Sequence, residues 1–423
     1  MRKIIDFKKE VVVLGLGTNT VCAAIARGEK KDPTESALGF GWEIRVIGVG
    51  YQLAKGIKRN TITNLEELEE SMMEAISSAE KEAQRSIKSA FVALPTWAIA
   101  SHAIETEIDI GHLPVDDVHI SSLLNFDTAA FVGQSSDVIH TFPVSYSIDD
   151  THNLQDPMGM VGNKLRAVLH VMTAPSSLLG NITSCLSRNN IEVTGFTSST
   201  YAAALATALD DEIASGITFI DIGGSTTSIM CMHDGVPLYL GAIQLGSQHI
   251  TNDIAVVLRT TKSNAERLKI LYGVSTGAAL NDESLLVSRI DEYGEEHIQN
   301  VSKSTLNSII TARLSELLDL VQEHVYNCGA DKVLIQQVVV TGGGSRLSGL
   351  SEFIKANKYF SDTSVRLGKP IGTIGSHDFV KTASFAAVAG SVIFCLGDFV
   401  AKISQHSGKS IWQRIITWFK RGI

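Results

Sequence analysis

Three stretches of glycine with serine, threonine or asparagine each follow a run of β-branched residues. They read GLGTNT at 15–20, DIGGSTT at 221–227 and TGGGSRLSG at 341–349. Glycine lets backbone N–H groups approach a ligand closely. Consecutive N–H groups in such turns, with hydroxyl groups as further donors, form a concavity that holds phosphate oxygens. One loop of this kind could equally be a tight hairpin turn, but three of them indicate a phosphate-binding site.

The first two stretches lie inside a long-range internal repeat. The segment VVVLGLGTNTVCAAIARGE at 11–29 aligns with ITFIDIGGSTTSIMCMHDG at 217–235, which pairs Gly15 with Asp221 and Gly17 with Gly223. Both segments have the pattern of a strand, a glycine turn and a second strand with alternating apolar residues. The repeat predicts two related β-hairpins and therefore two related domains.

The third stretch follows an apolar strand and opens toward a helix, whose N-terminus favours anionic or polar ligand groups. Two further glycine motifs are near misses. GLGTNT differs from the dinucleotide fingerprint because Thr20 replaces its last glycine and a strand pattern follows where that fingerprint needs a helix. GKS at 408–410 imitates a P-loop, but Ile403 replaces its first glycine. Neither motif supports its usual function.

Composition limits the classes of protein that fit. With 423 residues, 44% of them hydrophobic, the chain can bury a large core and divide into two or more domains. The net charge of −9 argues against nucleic acid as the main partner, because binding phosphate backbones requires clustered Lys and Arg. The five cysteines form no C-x-x-C pair, which favours a reducing cytoplasm over a disulfide or zinc framework. The uncharged stretch at 382–397 is too short to span a bilayer and predicts a buried helix.

Two related hairpins followed by a third glycine loop resemble the actin-like ATPase superfamily. Within it, several segments resemble the FtsA family of bacterial division proteins. They are IGVGYQLAKGIKRNTITN at 47–64, IHTFPVSYSIDD at 139–150, DPMGMVGNKLRAVLHVMT at 156–173 and LGSQHITNDIAVVLRTTKSNAERLKILYG at 245–273. The resemblance implies an α/β actin-like fold, with duplicated domains around a nucleotide cleft, an inserted 1C subdomain and a C-terminal amphipathic helix.

The same resemblance implies a division of the chain into subdomains. The expected segments are 1–89 (first part of 1A), 90–172 (1C), 173–206 (return to 1A), 207–249 (first part of 2A), 250–330 (2B), 331–379 (second part of 2A), 380–398 (closing helix on 1A), 399–409 (linker) and 410–423 (membrane-targeting helix). Helical spacing of apolar residues predicts helices at 64–89 and 304–321, and 251–330 is expected to be mostly helical.

Site residues are expected by resemblance, one position at a time. The phosphate loops would contain Gly17, Thr18 and Asn19, and Asp221, Gly223, Gly224, Ser225 and Thr226. The ribose and adenine would meet Glu266 and Lys269, for which an ordinary surface ion pair is the alternative. The loop over the adenosine would contain Gly342, Gly343, Gly344 and Ser345. The implied cofactors are ATP and Mg²⁺, the latter held by Asp221 through water.

One departure from the family pattern D-I-G-T-S in the first loop affects the expected chemistry. This chain has Gly15 where the aspartate is expected, and the comparison with Asp221 in the internal repeat reveals the same gap. An acid there would help to position magnesium and the attacking water, on which phosphoryl transfer depends. We therefore predict that ATP binds but is hydrolysed slowly or not at all.

The final residues, SIWQRIITWFKRGI at 410–423, form an amphipathic pattern. At 100° per residue one arc contains Ile411, Trp412, Ile415, Ile416, Trp418 and Phe419. The opposite, polar arc contains Gln413, Arg414, Thr417, Lys420 and Arg421, and Lys409 precedes the helix. A helix of about eleven residues spans ~17 Å, too short to cross a hydrocarbon core of ~30 Å.

Aromatic residues beside basic ones predict that this helix lies flat in the interface of an anionic membrane. The alternative is a terminal helix docked on its own domain. Through the resemblance we expect a peripheral protein on the cytoplasmic face of the inner membrane at the division septum. Its partners would be the C-terminal peptide of FtsZ, other copies of itself, anionic lipid, and division proteins bound through 1C. Arg313 is a candidate contact in 2B. A PilM-like pilus-assembly adaptor and an actin-fold small-molecule kinase remain alternatives.

Overall fold

The computed structural model describes residues 10–30, 42–58, 60–124, 131, 133, 135–275, 283–290, 293–327 and 336–401. In chain order the strands are β1 (Glu10–Leu16), β2 (Thr20–Lys30), β3 (Trp42–Leu53), β4 (Ile57–Lys58), β5 (Thr61–Ile62), β6 (Ser89–Leu94), β7 (Ala100–Asp109), β8 (Ser136–Ile148), β9 (Thr151–Leu154), β10 (Lys164–Pro175), β11 (Glu192–Ser198), β12 (Ile217–Ile222), β13 (Thr227–His233), β14 (Val236–Ile243), β15 (Ser284–Ile290), β16 (Glu296–Ser302), β17 (Gln337–Thr341), β18 (Ser364–Leu367) and β19 (Thr373–Gly375). The helices are α1 (Leu65–Ala83), α2 (Asp117–Leu124), α3 (Ser176–Arg188), α4 (Ser199–Thr207), α5 (Asp210–Ser215), α6 (Ser247–Val257), α7 (Lys262–Tyr272), α8 (Lys303–Asn327), α9 (Leu350–Ala356) and α10 (Ala386–Ala401).

Two sheets of the same topology form the two lobes of the molecule. The first lobe has the strand order β11-β6-β1-β2-β3-β19, and the second has β18-β17-β12-β13-β14. In both, the central hairpin strands are antiparallel, and the strands on its other side (β6 and β11, or β17 and β18) run parallel. Gly15 lies opposite Cys22 in the first lobe, as Asp221 lies opposite Ser228 in the second. Five strands of each lobe therefore correspond, which confirms the predicted duplication, and β19 is an additional strand of the first lobe.

The central strands of the first lobe are covered on both faces. Val21, Ala23 and Ile25 of β2 are buried in a cluster with α1 and α3. The alternate residues of β2 are buried in a cluster with α4 and α10. A strand covered on both faces reads as a continuous apolar run, as this one does.

Helix α1 begins and ends at recognisable signals. The side chain of Asn64 accepts hydrogen bonds from the N–H groups of Glu66 and Glu67, and the left-handed Gln84 ends the helix. The helix is therefore shorter at its C-terminal end than the predicted span of 64–89. Four apolar residues at the predicted helical spacing are buried and Leu65 is half-buried, while Ser71 and Ala75 are buried as well.

An inserted module leaves the first lobe after β6 and returns through β10. It consists of an antiparallel sheet of order β7-β10-β8-β9 with α2 packed on it. Strand β6 itself belongs to the first-lobe sheet, where it pairs with β1. The predicted boundary at residue 90 is therefore too early, and the sheet of the module starts at Ala100. Sequence periodicity could not place it, because β6 and β7 are strands separated by one short turn.

The second lobe carries its own insertion, built from α6, α7, the hairpin β15–β16 and α8. The apolar stripe of α8 packs on the second-lobe core through Leu306, Ile310, Leu314 and Leu317. The expectation of a mostly helical segment at 251–330 missed the hairpin. The strands of this hairpin are buried on one face only. In β15, for example, Leu285 and Val287 are buried, while Leu286 is exposed.

The chain returns to the first lobe earlier than predicted. Strand β19 pairs with β3 in the first-lobe sheet, so residues 373–375 do not belong to the second lobe as the span 331–379 implied. Short 3-10 turns at Asp378–Lys381 and Ala383–Phe385 then lead into α10, whose residues to Ile393 are mostly buried against α4 and β1. This is the buried closing helix that the uncharged stretch predicts.

No helix within the described ranges has the length and apolar composition needed to cross a membrane. The predicted amphipathic helix at 410–423, and the linker before it from residue 402 onward, lie outside the described residues.

Candidate nucleotide site

A cavity of about 580 Å³ lies between the two lobes and is lined by all three glycine loops. The predicted site residues that line it are Gly17, Thr18, Asn19, Asp221, Gly223, Gly224, Thr226, Glu266, Lys269, Gly342, Gly343 and Gly344. The other two predicted residues lie beside the lining and shape it. Ser225 contacts the first loop, and the Ser345 hydroxyl donates to the Gly342 carbonyl at 2.8 Å.

The first two loops close with the same hydrogen bond. Gly17 N–H donates to the Thr20 carbonyl at 2.8 Å, and Gly223 N–H donates to the Thr226 carbonyl at 2.9 Å. The two hairpin turns therefore face each other across the cleft in related conformations. Such an arrangement can surround a chain of phosphate groups from both sides.

Asp221 is an acidic residue that lines the cavity beside the first two glycine loops. Gly342 makes room for it, because a Cβ at Gly342 would lie 2.2 Å from Asp221 Oδ1, and its φ of +87° also favours glycine. Burial raises the pKa of Asp221 to about 6. Within the described part of the chain its carboxylate has no hydrogen-bond or ion-pair partner. An unpartnered carboxylate that lines a cavity between glycine loops fits a hard cation such as Mg²⁺.

The matching position of the first lobe has no acid and no space for one. A Cβ at Gly15 would lie 2.8 Å from Val388 Cγ2 of α10. Cys22, opposite Gly15, also lines the cavity, and burial raises its pKa to about 12, so the thiol stays neutral. The first-lobe wall of the cleft is therefore apolar where the second-lobe wall is acidic.

Glu266 and Lys269 lie in the cleft wall as part of a hydrogen-bond network. Lys269 Nζ contacts Glu266 Oε2 at 2.8 Å, the Thr251 hydroxyl at 2.8 Å and the Ser247 carbonyl at 3.1 Å. The Thr251 hydroxyl also donates to Glu266. Lys269 keeps only 11% of its side chain exposed. The network ties α7 to α6 and holds the Lys269 amine in the cavity wall, while Glu266 keeps 45% of its side chain exposed.

Several lining residues carry no motif that sequence reasoning used. Pro95 and Thr96 follow β6 at the positions that Gly343 and Gly344 hold after β17. Extending the internal repeat to these parallel strands would have found them. Tyr51 and Arg346 also line the cavity, as does Val388 from the far end of the chain. Arg346 lies within the third glycine stretch, whereas no local signal marks Tyr51 or Val388.

Arg313 lies away from the cleft and is engaged within the protein. Its Nε and Nη2 donate to the two carboxylate oxygens of Asp253 at 2.6 and 2.8 Å, and its Nη1 pairs with Glu316. This bidentate pair ties α8 to α6. The guanidinium is still partly exposed, at 27% of the side chain. The membrane residues predicted between Lys409 and Arg421 lie outside the described residues.

Comparison with known proteins agrees with this architecture. The model of the family "Cell division protein FtsA" matches residues 218–390, and that of the "SHS2 domain inserted in FTSA" matches residues 98–173. The second match coincides with the inserted module. The cell division protein FtsA of Agrobacterium fabrum is 31% identical over 403 residues, covering 94% of this chain and 89% of the relative.

The chain belongs to the FtsA family of cell division proteins. FtsA of Escherichia coli K12 is 26% identical over 432 residues, covering 98% of this chain and 96% of the relative. The family match confirms the resemblance drawn from the four sequence segments. It also disfavours the kinase and pilus-adaptor alternatives.

Solved structures support the fold alone, since their sequences are distant. The PilM–PilN type IV pilus biogenesis complex gives a TM-score of 0.59 at 13% identity, covering 91% of this chain and 98% of that chain. MreB5 of Spiroplasma citri bound to ADP gives 0.55 at 15% identity, covering 95% and 100%. The expected actin-like fold with an FtsA-type insertion is thereby confirmed.

Proposed function

We propose that this chain is an ATP-binding adaptor that polymerises and tethers FtsZ filaments to the inner face of the cytoplasmic membrane at the division septum. The observation that carries the proposal is the cleft, in which two related phosphate loops face each other beside the unpartnered carboxylate of Asp221. Family membership supports the role in division. Recruitment of other division proteins through the inserted module is part of the same proposal.

The nucleotide acts as a switch in this proposal, with hydrolysis slow or absent. Mg²⁺ would be held from the second lobe through water by Asp221, and would neutralise charge on the phosphates. Glu266 and Lys269 would meet the ribose and adenine, and the loop from Gly342 to Ser345 would cover the adenosine. The apolar wall formed by Gly15, Cys22 and Val388 offers nothing that could orient an attacking water.

Nucleotide titration tests the proposed ATP binding and the role of Asp221 in it directly. A fluorescent ATP analogue should bind the wild-type protein in a Mg²⁺-dependent manner, and Asp221→Ala should remove that dependence. Asp362→Ala, the same change at an exposed position, should leave binding unchanged. Turnover should stay far below the roughly 1–100 s⁻¹ of kinases. Turnover in that range, abolished by Asp221→Ala, would support the kinase alternative, and no binding of any nucleotide would reduce the loops to structural remnants.

Membrane attachment is proposed for the amphipathic pattern at 410–423. The full chain should float with vesicles containing anionic lipid and not with neutral vesicles, because the final turns combine apolar and basic faces. Trp418→Glu should abolish flotation. Thr417→Glu adds the same charge on the polar arc, so it should lower flotation only modestly. Equal loss in both variants would mean that charge alone governs attachment and would contradict a helix lying flat in the interface.

A single short helix binds lipid weakly, so assembly should strengthen attachment through effective concentration. Vesicle binding should therefore rise steeply with protein concentration in the presence of ATP and Mg²⁺. A strictly proportional rise, with no sedimenting polymer, would argue against coupling of assembly and attachment.

The FtsZ C-terminal peptide is proposed to dock on the second-lobe insertion, with Arg313 as a contact. Because Arg313 is bound to Asp253, the two partners can be tested against each other. Arg313→Ala should weaken peptide binding, whereas Asp253→Ala, which releases Nε and Nη2 of Arg313 and leaves Nη1 on Glu316, should preserve or strengthen it. Equal weakening in both variants would mean that the ion pair only supports the fold. A chain that copurifies with a pilus peptide and not with FtsZ would favour the pilus-adaptor alternative.

A further inference from the structure

The two phosphate loops touch each other directly. Ser225 N–H of the second loop donates to the Thr18 hydroxyl of the first at 3.2 Å. The Ser225 hydroxyl donates to Asn19 Oδ1 at 3.3 Å. These bonds cross the cleft between residues of different lobes, at the end where the phosphate groups are proposed to lie.

The Asn19 side chain also fills the space beside the second loop. A Cβ at Gly224 would lie 2.2 Å from Asn19 Nδ2, so the amide packs against the bare backbone of Gly224. Two observations, a hydrogen bond and a close approach, thus place the same amide group on the second loop.

Each loop is anchored in its own lobe. The Asn19 carbonyl accepts from Ala54 N–H at 2.9 Å, at the end of β3. The Gly223 and Gly224 carbonyls accept from Ser247 and Gln248 N–H at 3.0 and 2.8 Å, at the start of α6. A bond between the loops therefore connects β3 of the first lobe to α6 of the second.

We propose that Asn19 is a positioning residue that latches the two phosphate loops together before nucleotide binds. This inference rests on the proposed nucleotide function for its purpose, but not for its contacts. Ser225 N–H and its hydroxyl are donors that a phosphate group would use, and the latch keeps them aligned toward the first loop. When nucleotide binds, its phosphate groups would replace the hydrogen bonds between the two loops. The two lobes would by then already be held together at the cleft.

Hydrogen exchange of the nucleotide-free full chain, followed by mass spectrometry, tests the latch. In Asn19→Ala the amides of the second loop, residues 221–227, should exchange about fivefold faster, the factor expected for losing one hydrogen bond. The third loop, residues 341–349, should be unchanged, because the hydrogen bond and the close approach of the Asn19 side chain seen among the described residues are both to the second loop. Asn300→Ala, the same change on the exposed hairpin β15–β16, should affect neither loop.

Asn19→Asp separates the latch from nucleotide binding. Aspartate keeps an oxygen that accepts from Ser225, so second-loop exchange should stay near that of the wild type, while the added negative charge should weaken ATP binding at least tenfold. Ser225→Ala, which removes the hydroxyl donor, should reproduce the faster exchange of Asn19→Ala. If Asn19→Ala does not fold, Asn19→Asp and Ser225→Ala still test the latch.

The outcomes distinguish this inference from the proposed function. Unchanged second-loop exchange in both Asn19→Ala and Ser225→Ala would overturn the latch even if ATP binds. Faster exchange in both variants would support the latch even if the wild-type protein bound no nucleotide. A uniform increase in exchange across all three loops would mean that Asn19 only stabilises the fold, and would also overturn it.

Discussion

Val388 of α10 lies directly against Gly15 of β1, at the position where the duplicated lobe carries Asp221. The space that an acidic side chain would need in the first lobe is filled by a valine methyl group from near the end of the chain. The absence of an acid at this position therefore depends on how α10 packs against β1, and it involves more than one residue.

Restoring the acid alone should fail. Gly15→Asp places a Cβ 2.8 Å from Val388 Cγ2 and adds a carboxylate to an apolar wall, so we expect the free energy of unfolding to fall by more than the ~1–3 kcal/mol typical of overpacking. Gly15→Ala, which adds only the Cβ, should cost less. Gly15→Asp with Val388→Ala should recover part of the loss in thermal or urea unfolding. A Gly15→Asp variant as stable as the wild type would contradict the packing argument.

The duplicated hairpins and their glycine turns could be predicted because a repeat and a local pattern record them. The alignment of Gly15 with Asp221 appears in the strand register without change. Val388 could not be predicted as its neighbour, because nothing local links residues so distant in sequence. The same holds for β19, whose pairing with β3 decides where the chain re-enters the first lobe.

The spacing of residues along one helix predicted only part of the candidate site. The separation of three residues put Glu266 and Lys269 on one face of a helix. It could not supply Thr251 and Ser247, which belong to the preceding helix and fix the orientation of the pair. Side-chain networks between helices depend on tertiary packing, which the pattern of one helix does not contain.

We expect Asp221 to support Mg²⁺-dependent ATP binding while lowering the stability of the nucleotide-free protein. Its pKa of about 6 lies above the ordinary value of 3.8, so the folded protein favours the protonated form. Its contribution to stability is complete below pH 3.8 and is lost as the pH rises through 6. Asp221→Asn should therefore raise the melting temperature of the nucleotide-free protein at pH 7.5 and remove the Mg²⁺ dependence of ATP binding. An unchanged or lower melting temperature would mean that the carboxylate is stabilised by groups other than those described.

Two buried histidines should give the opposite pH dependence. Burial lowers the pKa of His140 to about 3 and of His170 to about 4, from an ordinary value of 6.5. Both are neutral in the folded protein, where His140 Nε2 accepts from Ser198 N–H and His170 Nε2 contacts the Ser101 hydroxyl. Their contribution to stability is present above pH 6.5 and is lost as the pH falls toward these values.

Replacing one histidine should therefore flatten the acid limb of the stability curve. Between pH 6 and 4.5, His170→Gln should lower the slope of unfolding free energy against pH by up to about 1.4 kcal/mol per pH unit, the value for one proton. Urea unfolding at several pH values measures this slope. His152→Gln, at an exposed position in the same module, serves as the control. Equal slopes for His170→Gln and the wild type would show that His170 does not take up a proton on unfolding.

The contact between α10 and α4 should tolerate little added volume. A Cβ at Gly390 of α10 would lie 1.6 Å from the Ala202 carbonyl oxygen of α4, a backbone atom that cannot turn aside. Gly390→Ala should therefore lower the free energy of unfolding by at least about 2 kcal/mol, despite the higher helix propensity of alanine. Gly180→Ala on the exposed face of α3, where a Cβ would meet nothing within 4 Å, should raise it by about 0.5–1 kcal/mol. Chemical unfolding of the two variants compares them directly, and a stabilising Gly390→Ala would mean that α10 does not pack on α4 as closely as this backbone contact requires.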